Sequence, residues 1–382
     1  MLLSARETAE CLGIKLDTLY AYVSRGLLRS VEVADSRERH YDADAVERFR
    51  VARGGAKGTR SPTEALMPVI ASAICLIENH RFYYRGEDAL ALAETATLEQ
   101  VAALLWQEAP PPAAAPRMPA PAATGLIERC QIRLAQLAAE DYAALDLTRA
   151  GIVRTGGQIL GELAACLGAP GLGAQPIDAR LAALWKLEPG GRDVVRRALV
   201  LLADHELNAS TFVARCVAST GATPYAAVSA ALAALSGRRH GGASVRTEAL
   251  CHELAEGDPL ALMAARLARD EDLPGVGHPL YPEGDPRAAA LFAGVKAAIP
   301  EKAGWVDRVA SAVVQLTGQY PNVDFGLGVA TTALRLPQGA ALSLFVVARS
   351  VGWIAHAIEQ YESGVLIRPR ARYTGQRRVA GA

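Results

Sequence analysis

RRALVLLADHELNASTFVARC, residues 196–216, sets the class of the fold. Val200 to Ala203 is apolar on every face of a helix, so the segment belongs in an interior. Asp204, His205, Glu206 and Asn208 then interrupt it within five positions. Burying such groups is costly unless each finds a partner. They are therefore a satisfied polar network in a helical core or part of a site.

The rest of the chain has the same character. Of 382 residues, 51% are hydrophobic and 21% charged, which excludes a disordered chain. Aromatics are only 5%, so the core is built from Ala, Leu and Val, residues that favour close-packed helices. Forty basic and forty acidic residues cancel, so no global field draws the protein to nucleic acid or membrane. Six scattered cysteines (Cys11, Cys75, Cys130, Cys166, Cys216, Cys251) include no CxxC pair and predict neither a disulfide framework nor a metal site. The start, MLLSARETAE, is charged too early for a secretory signal. No apolar run is expected to reach the ~18 residues of a membrane span, since ALSLFVVARSVGWIAHAI carries Arg349. A cytoplasmic location is the expectation.

Residues 1–53 form a unit of their own. Ser4 and Glu7 make a capping box, Gly13 a turn, and KLDTLYAYVSRGLL a second helix with Leu16, Leu19 and Val23 on one face. VEV and HY predict a two-stranded wing, and Asp42 a cap for a third helix. This order resembles a MerR-type winged helix-turn-helix. It would place Lys15, Thr18, Tyr20, Tyr22 and Arg25 near a recognition helix, with Arg37 and Arg39 in the wing. Residues 1–60 hold eleven Lys and Arg against nine Asp and Glu, a small surplus for a DNA-reading unit. The alternative is a helical appendage for dimer contact.

GGAKGTR, residues 54–60, reads as a linker, and Ser61, Pro62 and Glu64 restart helix. Thr97 and Gln100 form another capping box, and RFYY is a candidate strand. Residues 108–125, rich in Pro and Ala, predict a surface connector. From Leu126 onward the pattern is helical, so the main body is all-α.

Chemistry concentrates in five places. His205 is one. His240 lies in ALSGRRHGGASVRTEAL, residues 234–250, between arginines and a Gly-Gly pair that opens a new helix. His278 lies in GVGHPLYPEGDPRAAA, residues 275–290, where Asp285 and Pro286 start a helix and put Arg287 in its first turn, next to open N–H groups. Asp324 sits between Val323 and Phe325 in PNVDFGLG, an apolar setting suited to a general base. Arg349 and His356 interrupt an apolar helix, and Arg368 follows in IRPR. Three histidines, one carboxylate and three arginines suit a substrate with two or more carboxylates and proton abstraction beside a carbonyl.

ADHELNAST, SGRRHGGA, GVGHPLY…DPRA, PNVDF, ARSVGWIAHAIEQ and IRPRARYTG occur in this order, after YYRGEDALALAE…TLEQVAALLW, and the set resembles citrate synthase. With the N-terminal unit, the chain is similar to helix-turn-helix-containing members of that family. The resemblance implies a large helical domain (61–243 and 331–382), a small one (244–330) and a homodimer. It implies condensation of acetyl-CoA, or of propionyl-CoA to give 2-methylcitrate, with oxaloacetate, without metal or cofactor. His240 would hold the thioester carbonyl, Asp324 would take the methyl proton, and His278 would polarise the ketone. His205, Arg287, Arg349 and Arg368 from the other subunit would hold oxaloacetate. A further reading is a metabolite-sensing regulator that binds DNA through residues 1–53. Two stretches depart from the family pattern: Phe325-Gly326-Leu327-Gly328 replaces an aromatic and Tyr-Ser-Gly beside the acyl pocket, and PLYPEG has Glu283 where bases are usual.

Overall fold

Ser4 starts the first helix as predicted: Glu7 N–H donates to its hydroxyl at 3.3 Å, while the Glu7 carboxylate accepts from Ser4 N–H at 2.7 Å. The computed structural model describes residues 2–24, 28, 30–31, 39–43, 46, 49, 70–111, 125–169, 175–369 and 375. These fall into two units, Met1–Ala71 with Pro369–Ala382, and Ser72–Arg368.

In the first unit, β1 (Leu2–Ser4) leads into α1 (Ala5–Leu12) and α2 (Leu16–Ser24), followed by β2 (Ser30–Val31) and β3 (His40–Asp42). The expected wing gains a third strand. The order is β1-β3-β2, all antiparallel, with Leu3 opposite Tyr41. Gly13 closes α1 in the left-handed region at φ 63°. Leu3, Leu12, Leu19, Tyr41 and Val46 fill a small core of their own. Val23 packs against it, but Leu16 is 37% exposed, so the predicted apolar face of α2 is narrower than expected. Tyr20 is exposed, whereas the Tyr22 ring lies 5.5 Å from that of Phe49. Arg25, Arg37, the linker 54–60, the helix start at Ser61 and most of the 108–125 connector lie outside the described residues.

The second unit opens with a small antiparallel sheet, β4 (Cys75–Glu78), β5 (Arg81–Tyr84) and β6 (Glu87–Asp88), so the RFYY strand forms. Its inward residues Phe82 and Tyr84 are fully buried. Helices follow: α3 (Ala89–Thr95), α4 (Leu98–Trp106), α5 (Leu126–Glu140), α6 (Arg149–Cys166), α7 (Ile177–Trp185) and α8 (Pro189–Leu202). Next come α9 (Ala209–Ala218), α10 (Pro224–Leu235), α11 (Gly241–Leu254), α12 (Pro259–Ala268), α13 (Pro286–Ala298), α14 (Ala303–Thr317), α15 (Val323–Ala333) and α16 (Ala340–Ser363). Thr97 and Gln100 cap α4 reciprocally, as expected.

Helix α16 is the axis of the larger core and packs on α4, α6, α8, α9 and α10. It overturns one expectation. Its most apolar 18 residues have a mean hydropathy of 1.6, long and apolar enough to cross a membrane, and 89% of that window is buried inside the protein. Arg349 does not break the run, because Nε donates to the Leu202 carbonyl at 2.7 Å and the guanidinium lies 4.8 Å from the Phe345 ring one turn earlier. A second apolar core gathers Leu250, Cys251 and Leu254 of α11, Trp305 to Val313 of α14, and Phe325 and Val329 of α15.

Helix α15 fits between its neighbours because it carries glycines. A Cβ on Gly326 would lie 2.9 Å from Ala288 Cα, and one on Gly328 would lie 2.7 Å from Cys251 Sγ. Phe325 and Leu327 are fully buried in the two cores. The stretch that departs from the family pattern thus serves helix packing.

Candidate active site

Segment 275–287 is a corner made by two left-handed glycines, Gly275 (φ 80°) and Gly277 (φ 74°). A side chain at either would collide, with Thr247 at 2.6 Å or Gln319 at 2.2 Å. The corner is sewn to the loop before α15: Gly277 N–H donates to Tyr320 O, Asn322 N–H to Gly275 O, and Asn322 Nδ2 to Gly277 O, all within 3.0 Å. This stitching holds the segment that carries His278 against the start of α15. The His278 Nδ1 atom accepts from Leu280 N–H at 3.2 Å. In the neutral ring the proton therefore sits on Nε2, and burial, then Arg287, keeps the ring pKa below its usual value.

Asp285 does more than cap α13. Its carboxylate accepts from Arg287 N–H (3.0 Å), Arg287 Nε (2.9 Å), Arg287 Nη2 (2.8 Å) and Val323 N–H (3.0 Å). One buried carboxylate thus ties the N-termini of α13 and α15 together and fixes the Arg287 fork. Burial favours the neutral form of each partner. Even so, the pair holds Asp285 below and Arg287 above its ordinary pKa. The Arg287 N–H expected to stand open to an anion is taken by Asp285.

Asp324 is in the first turn of α15, whose cap is Asn322. Ser244 Oγ, on the first turn of α11, donates to its Oδ1. Desolvation raises the Asp324 pKa against that hydrogen bond and against the charges of Arg287 and Arg349. His240 sits at the N-cap of α11, where the chain leaves α10 at Ser236. Its Nε2 lies 2.8 Å from Ser210 Oγ, which also accepts from Trp353 Nε1 at 3.1 Å. Burial, then Arg349, lowers His240 to about 4.

The polar interruption in the opening segment is where one helix ends and the next begins. Helix α8 stops at Leu202, Asn208 caps α9, and His205 lies in the bend, 7% exposed. Its ring centroid is 5.5 Å from those of both His278 and Tyr281. Burial, then Arg287, Arg349 and His278, hold its pKa well below the usual histidine value. Behind it, Tyr84 donates to Val200 O at 2.9 Å and accepts from Asp204 N–H. Arg349 is fully buried; burial pulls its pKa down, and Asp204 opposes the shift. His356 accepts at Nδ1 from Arg215 (3.1 Å) and turns Nε2 toward Asp204 at 3.4 Å.

Six of the seven candidate residues, His205, His240, His278, Arg287, Asp324 and Arg349, therefore gather in one place. Arg368 lies on the exposed segment after α16, outside that cluster. Sequence reading missed Tyr281, Ser210, Ser244, Trp353 and the pairing role of Asp285. Two of these had a signal: Ser244 is four residues after His240 and Trp353 four after Arg349, each on its partner's helical face. Among the described residues no three His, Cys, Asp or Glu side chains converge as metal ligands would. The cluster offers neutral imidazoles beside a desolvated carboxylate and two guanidinium groups, a set fit to move a carbon-bound proton next to an anion.

Known proteins resemble this chain in sequence and in fold. The C-terminal domain of citrate synthase matches residues 167–370, and the MerR helix-turn-helix regulatory family matches residues 3–54. A citrate synthase from Haloferax volcanii is 41% identical over 188 residues, 47% of this chain and 49% of that one. A 2-methylcitrate synthase from Mycobacterium tuberculosis is 38% identical over 188 residues, 47% of each chain. The chain spans about half the length of the curated relatives it matches. The citrate synthase of Thermotoga maritima superposes with a TM-score of 0.65 at 26% identity, over 83% of this chain and 96% of that one. That of Thermoplasma acidophilum, a ternary complex with carboxymethyl coenzyme A and oxaloacetate, has the same fold, with a TM-score of 0.68 at 24% identity and the same two coverages. Because the citrate synthase domain accounts for more than half of its residues, the chain belongs to the citrate synthase family.

Proposed function

We propose that the chain condenses acetyl-CoA with oxaloacetate and releases citrate and CoA. One observation carries this reading: His240, His278 and Asp324 converge on the same cluster as Arg287, Arg349 and His205. Asp324, raised in pKa by desolvation, removes a proton from the acyl methyl group. His240, kept neutral by burial, hydrogen-bonds the thioester oxygen as the enol forms. The enol carbon attacks the ketone, whose oxygen takes a hydrogen bond from His278 Nε2. Arg287, Arg349 and His205 hold the carboxylates of oxaloacetate, and water then cleaves citryl-CoA. CoA is a substrate here, and neither metal nor cofactor is required.

Residues 244–330 form the small domain, an assignment supported by the second apolar core, and 61–243 with 331–382 form the large one. The exposed position of Arg368 suits a homodimer in which it reaches the other subunit's site. The protein works in the cytoplasm. The 2-methylcitrate synthase relative favours propionyl-CoA as a second donor. The MerR match over residues 3–54 favours DNA binding by the first unit, tested by gel shift at fixed salt with and without oxaloacetate.

Free thiol released from acetyl-CoA or propionyl-CoA on adding oxaloacetate is the direct test. Asp324→Ala is expected to lower turnover at least ~100-fold. A wild-type chain that releases no thiol with either donor, or an Asp324→Ala chain that turns over normally, overturns the reading.

A further inference from the structure

The Nε2 atom of His205 is 2.8 Å from the Tyr281 hydroxyl. In the Nε2–H tautomer the ring donates to the tyrosine oxygen, the same bond it would make to a keto or carboxylate oxygen.

Tyr281 is well held for this contact. It is 2% exposed, its ring centroid is 5.2 Å from that of His278, and the Arg287 guanidinium lies 5.6 Å from it. The chain turns tightly around it, with Tyr281 N–H donating to His278 O and Gly284 N–H to Tyr281 O. The hydroxyl therefore stands at His205 Nε2, among the groups that would surround a dicarboxylate.

We propose that the Tyr281 hydroxyl is a placeholder for the substrate oxygen at His205. It keeps the ring oriented while the site is empty, and it must give way before a keto-dicarboxylate can reach Nε2. Tyr281 is thus a positioning residue that acts through His205 and sets how tightly the keto acid binds. The inference rests on the oxaloacetate reading above and deepens it.

Calorimetric titration of oxaloacetate into the full chain tests it without turnover. Tyr281→Phe keeps the ring and removes the competing hydroxyl. Its Kd is expected to fall roughly three- to tenfold, the scale of one buried neutral hydrogen bond. The KM for oxaloacetate should fall with it, while kcat stays within about threefold. In a His205→Ala background the same substitution should give no gain. An unchanged or raised Kd in Tyr281→Phe overturns the proposal, as does a gain that persists without His205. A wild-type chain that binds no oxaloacetate sinks the citrate-forming reading and this one with it. Wild-type binding without a gain in Tyr281→Phe sinks this one alone. A melting curve for each variant confirms the fold.

Discussion

Two buried arginines of the cluster are held in opposite ways. Arg287 is fixed by a carboxylate two residues earlier in its own helix start, through two side-chain hydrogen bonds. Arg349 is fixed by a backbone carbonyl 147 residues away and by an aromatic ring on its own helix. The first is a local ion pair that raises the guanidinium pKa; the second leaves the charge without a bidentate carboxylate, and burial lowers it. One guanidinium is locked by a carboxylate of its own helix start, and the other is buried against neutral partners.

Removing a partner is the strongest way to break that contrast. Asp285→Ala strands a fully buried guanidinium and frees two helix N-termini. It is expected to cost about 3–5 kcal/mol of stability, read from denaturant unfolding. Arg349→Leu should behave differently. Unfolding should shift by no more than about 1–2 kcal/mol, because a buried charge is replaced by an apolar group on an apolar helix. The kcat/KM for oxaloacetate should fall roughly 100-fold, the loss of charged hydrogen bonds to a carboxylate. Equal stability losses in the two variants would end the distinction.

The smallest effect needs no substrate. His240 binds a proton only near pH 4 when folded, but at an ordinary histidine pKa when unfolded. Between those values the unfolded state carries more protons, so stability rises with pH across the window and falls as the solution is acidified. The full effect is roughly 1–3 kcal/mol, seen as a falling Tm between pH 6.5 and 4. His205 and His278 shift in the same direction and add to it. His240→Asn should flatten the slope. Arg349→Leu should flatten it slightly, because Arg349 contributes to the His240 shift.

The same contrast explains what could be read in the chain. Asp285, Pro286 and Arg287 are consecutive, so the order of residue types alone marks a helix cap with an arginine in its first turn. The capping boxes at Ser4 and Thr97 are legible for the same reason. The Leu202 carbonyl that holds Arg349, and the Ser210 hydroxyl that meets His240, come from distant segments with no local mark. The role of Gly326 and Gly328 is hidden likewise, since a close approach between helices is a property of two surfaces. Even Asp285 was only half visible: its link to Val323 crosses from one helix start to another.

Helix α16 has a consequence for biosynthesis. A 24-residue segment this apolar, met alone as the chain emerges from the ribosome, has the length and hydropathy of a bilayer-spanning helix. A central arginine raises the cost of inserting such a segment by about 2.5–3.5 kcal/mol. Arg349 lies near the middle of α16, so the side chain proposed to grip a substrate carboxylate would also raise the cost of placing this segment in lipid.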